Sequence, residues 1–236
     1  MTPETVVFWL GVVGMLVGTA FVAYRWSGAA TAATSTYYAV AGAATAVGAV
    51  AYLLSALGVG TVAGAGRAVP LARYAGWLVV AALLLAALWL LAGASVRLLA
   101  ALVGLDVLTV ALRAAGELVT TRLAGLSLRN TRLALWAASV VVLLVLIGVL
   151  LRVLSPQAGR RHRRNPDVAV LFSVLRNLLV VAWLLSPVVW LLSAPGLAVV
   201  GATVAIAGYL VLDLAATVGV AALLVRDDAT LQQAEA

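Results

Sequence analysis

The sequence contains no cysteine and no lysine. Without cysteine the chain forms no disulfide, builds no thiolate metal site and offers no thiol nucleophile. All 15 of its Lys+Arg positions are arginine, so no side chain along it can form an imine. One histidine, His162, excludes metal or haem sites built on histidine pairs. Charge is scarce as well: 10% of the 236 residues are charged and 65% are apolar, against about 25% and 45–50% in a soluble globular domain. A water-soluble fold is thereby excluded. No constellation of nucleophile, base and carboxylate suggests an enzyme.

What the sequence has in excess is long apolar runs. A helical crossing of the hydrocarbon core takes about 20 apolar residues, and seven windows of that kind fall at about 6–24, 37–58, 70–92, 97–116, 132–153, 168–192 and 198–225. The runs are continuous, with no period-two alternation, so strands are not expected. The fold class is all-α, a seven-helix membrane domain over 1–225 with a short tail over 226–236. Met1-Thr-Pro-Glu4 carries no positive n-region and leads directly into a span-length run, which reads as a first helix and not a cleaved signal. The fourth window is the shortest: Asp106 interrupts it, and Arg113, Glu117 and Arg122 follow, so its end reads as an amphipathic extension at the interface.

Arginine placement orients the chain. With the N-terminus outside and the C-terminus cytoplasmic, the inner side receives Arg25, Arg97, Arg152, the run Arg160-Arg161-His162-Arg163-Arg164, Arg176 and Arg226. This satisfies the positive-inside rule for the cell membrane, although Arg113, Arg122, Arg129 and Arg132 fall on the outer side. The basic run reads as a solvated loop beside anionic lipid headgroups and not as a nucleic-acid site. Gly14-x-x-x-Gly18 and Ala44-x-x-x-Gly48 permit close helix approach.

Arg73, Asp106 and Asp213 remain as ionisable groups at membrane depth. A charge at mid-helix costs roughly 2.5–3.5 kcal/mol on insertion scales, so each must be paired, neutral or wet. Asp213 lies deep in the last window and Arg73 is its nearest candidate cation. Either a fold-stabilising pair or a proton path would account for them. A relay needs carboxylates at successive depths, which two acids do not supply. Trp183, Ser186, Pro187 and Trp190 recur at helical spacing, with the proline marking a kink. Together with Trp77 and Trp136 they suggest an aromatic pocket, whereas Trp9, Trp26 and Trp89 suit the interfacial belt.

These segments resemble a known family. Arg73-Tyr-Ala-Gly-Trp77-Leu, Val174-Leu-Arg-Asn177, Ser186-Pro-Val-Val-Trp190-Leu and Val211-Leu-Asp-Leu-Ala-Ala-Thr217-Val-Gly219 are similar to the third, sixth and seventh helices of the archaeal microbial rhodopsins. Tyr52, Gly104-Leu-Asp106 and Trp136-Ala-Ala-Ser139 fit the same pattern, and the resemblance spans nearly the whole chain. It implies a seven-helix bundle with Trp77, Trp136, Trp183, Ser186, Pro187, Trp190 and Thr217 around a ligand pocket, and Arg73, Asp213 and Tyr52 as a buried charge network.

The departures bear on function. The family attaches retinal to a lysine one turn after the seventh-helix aspartate, where this chain has Thr217. The pump-type acceptor carboxylate before the tryptophan is Gly76, the threonine one turn on is Val80, and the donor position is Ala87. The release carboxylates correspond to Pro195 and Ala205, and the sixth-helix tyrosine that bonds the aspartate is Ser186, which with Tyr52 is a candidate hydrogen-bond partner for Asp213. Arg113 falls where a small pocket residue belongs, and Asp106 corresponds to a protonated, hydrogen-bonded helix contact. The resemblance with these losses implies a homologue with no covalent cofactor and an interaction or regulatory role, as a homo-oligomer or with a membrane partner. Two alternatives stand beside it: a retinoid or other isoprenoid held non-covalently between Trp77 and Trp183, and light-driven transport or photosensing as in the family at large.

Overall fold

The fold is a ring of seven apolar helices long enough to cross a membrane, seen in a computed structural model that describes residues 1–29, 34–64, 67–122, 125–226 and 228–235. The spans are α1 (Pro3–Ala29), α2 (Ser35–Ala56), α3 (Leu71–Ala92) and α4 (Val96–Leu118). They continue with α5 (Leu128–Arg161), α6 (Pro166–Leu192) and α7 (Ala202–Leu224). A short helix, α8 (Asp228–Glu235), follows. Sequential helices pack side by side, and α1 against α7 closes the ring. Lipid tails are as apolar as leucine, so what joins the helices is packing and interhelical polar contact. Gly14 faces Leu214, Gly18 faces Val218 and Gly48 faces Met15, each too close for a further methyl group without movement.

Local signals set several helix ends. Gly93 takes a left-handed φ of 59° and donates its N–H to the Leu90 and Trp89 carbonyls, ending α3. The Ser95 hydroxyl accepts from the Leu98 N–H to start α4, and the Ser127 hydroxyl accepts from the Asn130 N–H to start α5. Two helices carry a π turn, Leu150–Leu154 in α5 and Ala215–Gly219 in α7. Such turns are rare and interrupt a helix locally without ending it.

The structure departs from the sequence reading in three places. Two four-residue strands, β1 (Thr61–Gly64) and β2 (Arg67–Pro70), pair antiparallel with Val62 opposite Val69. They lie outside the spans and are too short to leave a period-two signature. Helix α4 continues to Leu118, where Glu117 is buried, with Gly64 of β1 packed on its carbonyl. Helix α5 starts earlier and runs on to Arg161, so the basic run is partly folded. Its His162 is buried, with Nε2 2.6 Å from the Leu91 carbonyl oxygen.

The larger core fills the half of the ring toward α8, built from Leu84, Leu88, Leu146, Leu150, Leu175 and Leu179. A smaller cluster of Val7, Phe8, Met15, Tyr52 and Leu210 joins α1, α2 and α7. Helix α8 caps the first half. Its Leu231 and Ala234 are buried; Thr34 donates to Asp228 at 2.9 Å, Arg161 to the Ala234 carbonyl at 3.1 Å and Asn165 to the Gln233 carbonyl at 3.0 Å. Arg25 reaches the Val225 and Arg226 carbonyls at 3.2 and 3.0 Å.

Candidate functional site

Asp213 is the centre of the site. It sits on α7 one turn after Tyr209, and its Oδ2 accepts from the Tyr52 hydroxyl at 2.7 Å and from Arg73 Nη2 and Nε at 2.9 and 3.2 Å. The Arg73 guanidinium lies 4.3 Å from the centroid of the Tyr209 ring. Charge-assisted bonds of this kind are about twice as strong as neutral ones. Here they join α2, α3 and α7 at one buried carboxylate. Tyr209 was not foreseen from sequence, although its spacing of four from Asp213 places both on one helix face.

The surroundings of this carboxylate are tight. Gly76, one turn beyond Arg73, faces Ala51 of α2 so closely that a Cβ built on it would overlap the Ala51 methyl. Thr217 lies in the π turn after Asp213, with its Oγ1 buried and without a hydrogen-bond partner among the described residues. Among the described residues, two cavities touch Asp213. One, about 20 Å³, is lined by Arg73, Trp77, Arg113 and Ser186; the other, about 10 Å³, is lined by Tyr52, Gly76, Trp77 and Thr217. A single water needs roughly 10–15 Å³ of such volume, so each holds about one. Val80 and Ala87 are buried in the leucine core, and Ala205 is buried near the other end of α7.

The tryptophans divide into two groups. Trp136 and Trp190 stack on each other, with centroids 6.2 Å apart and rings 15° from parallel. Trp136 Nε1 donates to the Pro187 carbonyl at 3.0 Å, fixing α5 against α6; α6 remains helical through Pro187. Trp183 and Trp77 instead pack with the leucine core. Ser186 faces α4: its Oγ accepts from Arg113 Nη1 at 2.6 Å, which corrects the expectation that it would bond Asp213. Asp106 is buried, and its Oδ2 has no partner among the described residues. Arg113 follows Asp106 by seven residues, two turns along the same face of α4.

A larger cavity of about 420 Å³ opens at the hairpin end of the bundle. Glu4, Ser55, Tyr74, Glu117 and Tyr209 line it, and Arg73 forms its floor. Neither this vestibule nor Glu117's burial was foreseen, because both depend on the hairpin lying over the end of α4.

Comparison with known proteins gives a consistent result. A family model described as bacteriorhodopsin-like protein matches residues 2–231. The chain is 36% identical to a bacteriorhodopsin of Haloterrigena sp. over 98% of its own length and 90% of the relative. It is 38% identical to cruxrhodopsin-3 of Haloarcula vallismortis, covering 98% and 92%, and 34% identical to sensory rhodopsin-2 of Natronomonas pharaonis, covering 93% and 87%. Among solved structures, thermophilic rhodopsin from Rubrobacter xylanophilus superposes with a TM-score of 0.88 at 32% identity, covering 98% of this chain and 99% of that one.

Proposed function

Because the chain belongs to the bacteriorhodopsin-like family of microbial rhodopsins, we propose that it is a member of that family that carries no covalent retinal and moves no ions, acting through contacts with a second copy or another membrane protein. The observation that carries this reading is Thr217, a buried hydroxyl sharing a cavity with Asp213, in a chain whose basic residues are all arginine apart from His162. A hydroxyl cannot take the place of an amine in an imine, and no lysine elsewhere can stand in.

The residues present do not fit retinal attached at this site. A ligand of that size needs a cavity of about 300 Å³ or more, whereas the cavities touching Asp213 are about 20 and 10 Å³. A pump also needs a carboxylate acceptor beside the imine. Gly76 stands at that position by family resemblance, and Ala51 fills the space a side chain would need. The donor position, Ala87, is packed among leucines. The proposed orientation, N-terminus outside, puts the basic run and α8 on the cytoplasmic side of the cell membrane and the 420 Å³ vestibule outside. A non-covalent retinoid or other isoprenoid is the second reading. The buried Trp183 Nε1 and Thr217 Oγ1, both without partners among the described residues, favour it, while the small volumes oppose it.

Purified protein mixed with all-trans retinal is expected to form no adduct reducible by borohydride and no red-shifted band. Vesicles containing it are expected to show no uncoupler-sensitive pH or potential change under illumination. A reducible adduct on the intact chain would overturn the reading, as would a reproducible light-driven signal. A retinal spectrum perturbed without an adduct would favour the non-covalent alternative.

A further inference from the structure

Arg113 enters the bundle from α4, lies partly buried, and donates from Nη1 to the Ser186 hydroxyl of α6 at 2.6 Å. Among the described residues its buried Nε has no hydrogen-bond partner and its guanidinium forms no ion pair. Ser186 is only the acceptor in this contact, and its own O–H finds no acceptor among the described residues. Asp106, the other acid at membrane depth, does not line the cavity that Arg113 faces.

That cavity, about 20 Å³, is shared by Arg73, Trp77, Arg113, Ser186, Tyr209 and Asp213. Arg73 and Asp213 neutralise each other through two hydrogen bonds, which leaves the cavity with the single positive charge of Arg113. An arginine keeps its charge at any pH a protein meets, and an uncompensated charge at membrane depth is costly. The carboxylate facing the cavity is screened, because Asp213 Oδ2 already accepts from Tyr52 and twice from Arg73. A monovalent anion brings the sum to zero; a water leaves it at plus one.

Size narrows the choice further. The volume exceeds the roughly 10–15 Å³ that one water needs and leaves no room for a second group, so a monatomic ion fits and a polyatomic one such as gluconate does not. Arg73, Tyr74 and Tyr209 line both this cavity and the 420 Å³ vestibule, so an ion arriving from the hairpin end passes one layer of side chains.

We infer that this cavity binds one anion of the halide class, chloride in ordinary salt, held by the Arg113 Nε–H and the Ser186 hydroxyl as a resident counter-ion between α4, α6 and α7. The ion completes the fold and is not cargo. The site goes beyond the proposed function and does not depend on it.

The test uses the full chain in detergent, in the dark and without retinal, with radioactive chloride as the probe. Saturable binding of one chloride per chain is expected, displaced by bromide and not by gluconate at equal ionic strength. R113Q is expected to weaken it by at least about tenfold, as loss of a charged hydrogen bond does. R163Q, which removes a charge from the exposed part of the basic run, is expected to leave it unchanged. No saturable binding on the intact chain would overturn the inference, as would equal losses in R113Q and R163Q, which would mark surface binding only.

Two measurements on the intact chain cover the case in which R113Q does not fold. Exchanging gluconate for chloride at about a hundredfold excess over Kd is expected to raise Tm by about 5–10 °C, and equal Tm in the two salts would overturn the site. Crystals grown in bromide are expected to show an anomalous peak between Arg113 Nε and Ser186, and a cavity without that peak would also overturn it. A light-driven signal in vesicles would instead overturn the proposed function and leave these dark measurements standing, so the two failures are distinguishable.

Discussion

Asp213→Ala is expected to destabilise the protein by about 3–5 kcal/mol, the usual loss when one partner of a buried ion pair is removed and the other is left stranded. The stranded group is Arg73, whose Nε and Nη2 both bond Asp213 Oδ2, and the Tyr52 hydroxyl loses its acceptor at the same carboxylate. Arg73→Ala strands the carboxylate in turn. The double variant D213A/R73A removes both charges, and its loss is expected to fall short of the sum of the single losses by at least about 1 kcal/mol, within the range that contacting residues show in such cycles. Thermal unfolding of the four proteins in one detergent measures this. Strict additivity would mean that the two Arg73–Asp213 bonds, at 2.9 and 3.2 Å, contribute no coupling.

Gly76→Asp, the change that restores a carboxylate at the family's acceptor position, is expected to be severely destabilising, by roughly 3 kcal/mol or more. Overpacking and a buried unpaired charge both contribute. Even a methyl group at Gly76 would overlap the Ala51 side chain, so the new carboxylate would have to push α2 away from α3. That clash predicts its own partial remedy: G76D/A51G is expected to regain stability relative to G76D, because glycine at 51 removes the obstructing methyl. If G76D unfolds at the same temperature as the parent chain, the helices yield easily and the closed acceptor site is not a property of the backbone.

The seven spans were legible because hydropathy over about 20 residues is a strong signal, little affected by where each helix ends. Those ends were less so. The Ser127 hydroxyl starts α5 before its apolar run, and a π turn carries the same helix on to Arg161. At the site, Arg73, Tyr52 and Asp213 could be named from residue type and family pattern, since a deep acid needs a cation and the choices were few. The role of Ser186 could not. Its partner is Arg113, and whether that arginine reaches α6 depends on how α4 and α6 are placed in the bundle. The fit of Gly76 against Ala51 depends on the register between two helices, which neither segment encodes alone.

Helix α8 has a consequence for the order of assembly. Its hydrogen bonds reach back across 194 residues to Thr34, 73 to Arg161 and 68 to Asn165, and all three partners lie in segments synthesised before it. Contacts between residues so distant in sequence form late, because the loops between them must close first. Each crossing can enter the bilayer as it is made, but the ends of α5 and α6 gain this tie to α8 only after the ribosome has passed the seventh span. Until then the half of the ring beneath α8 lacks its cap.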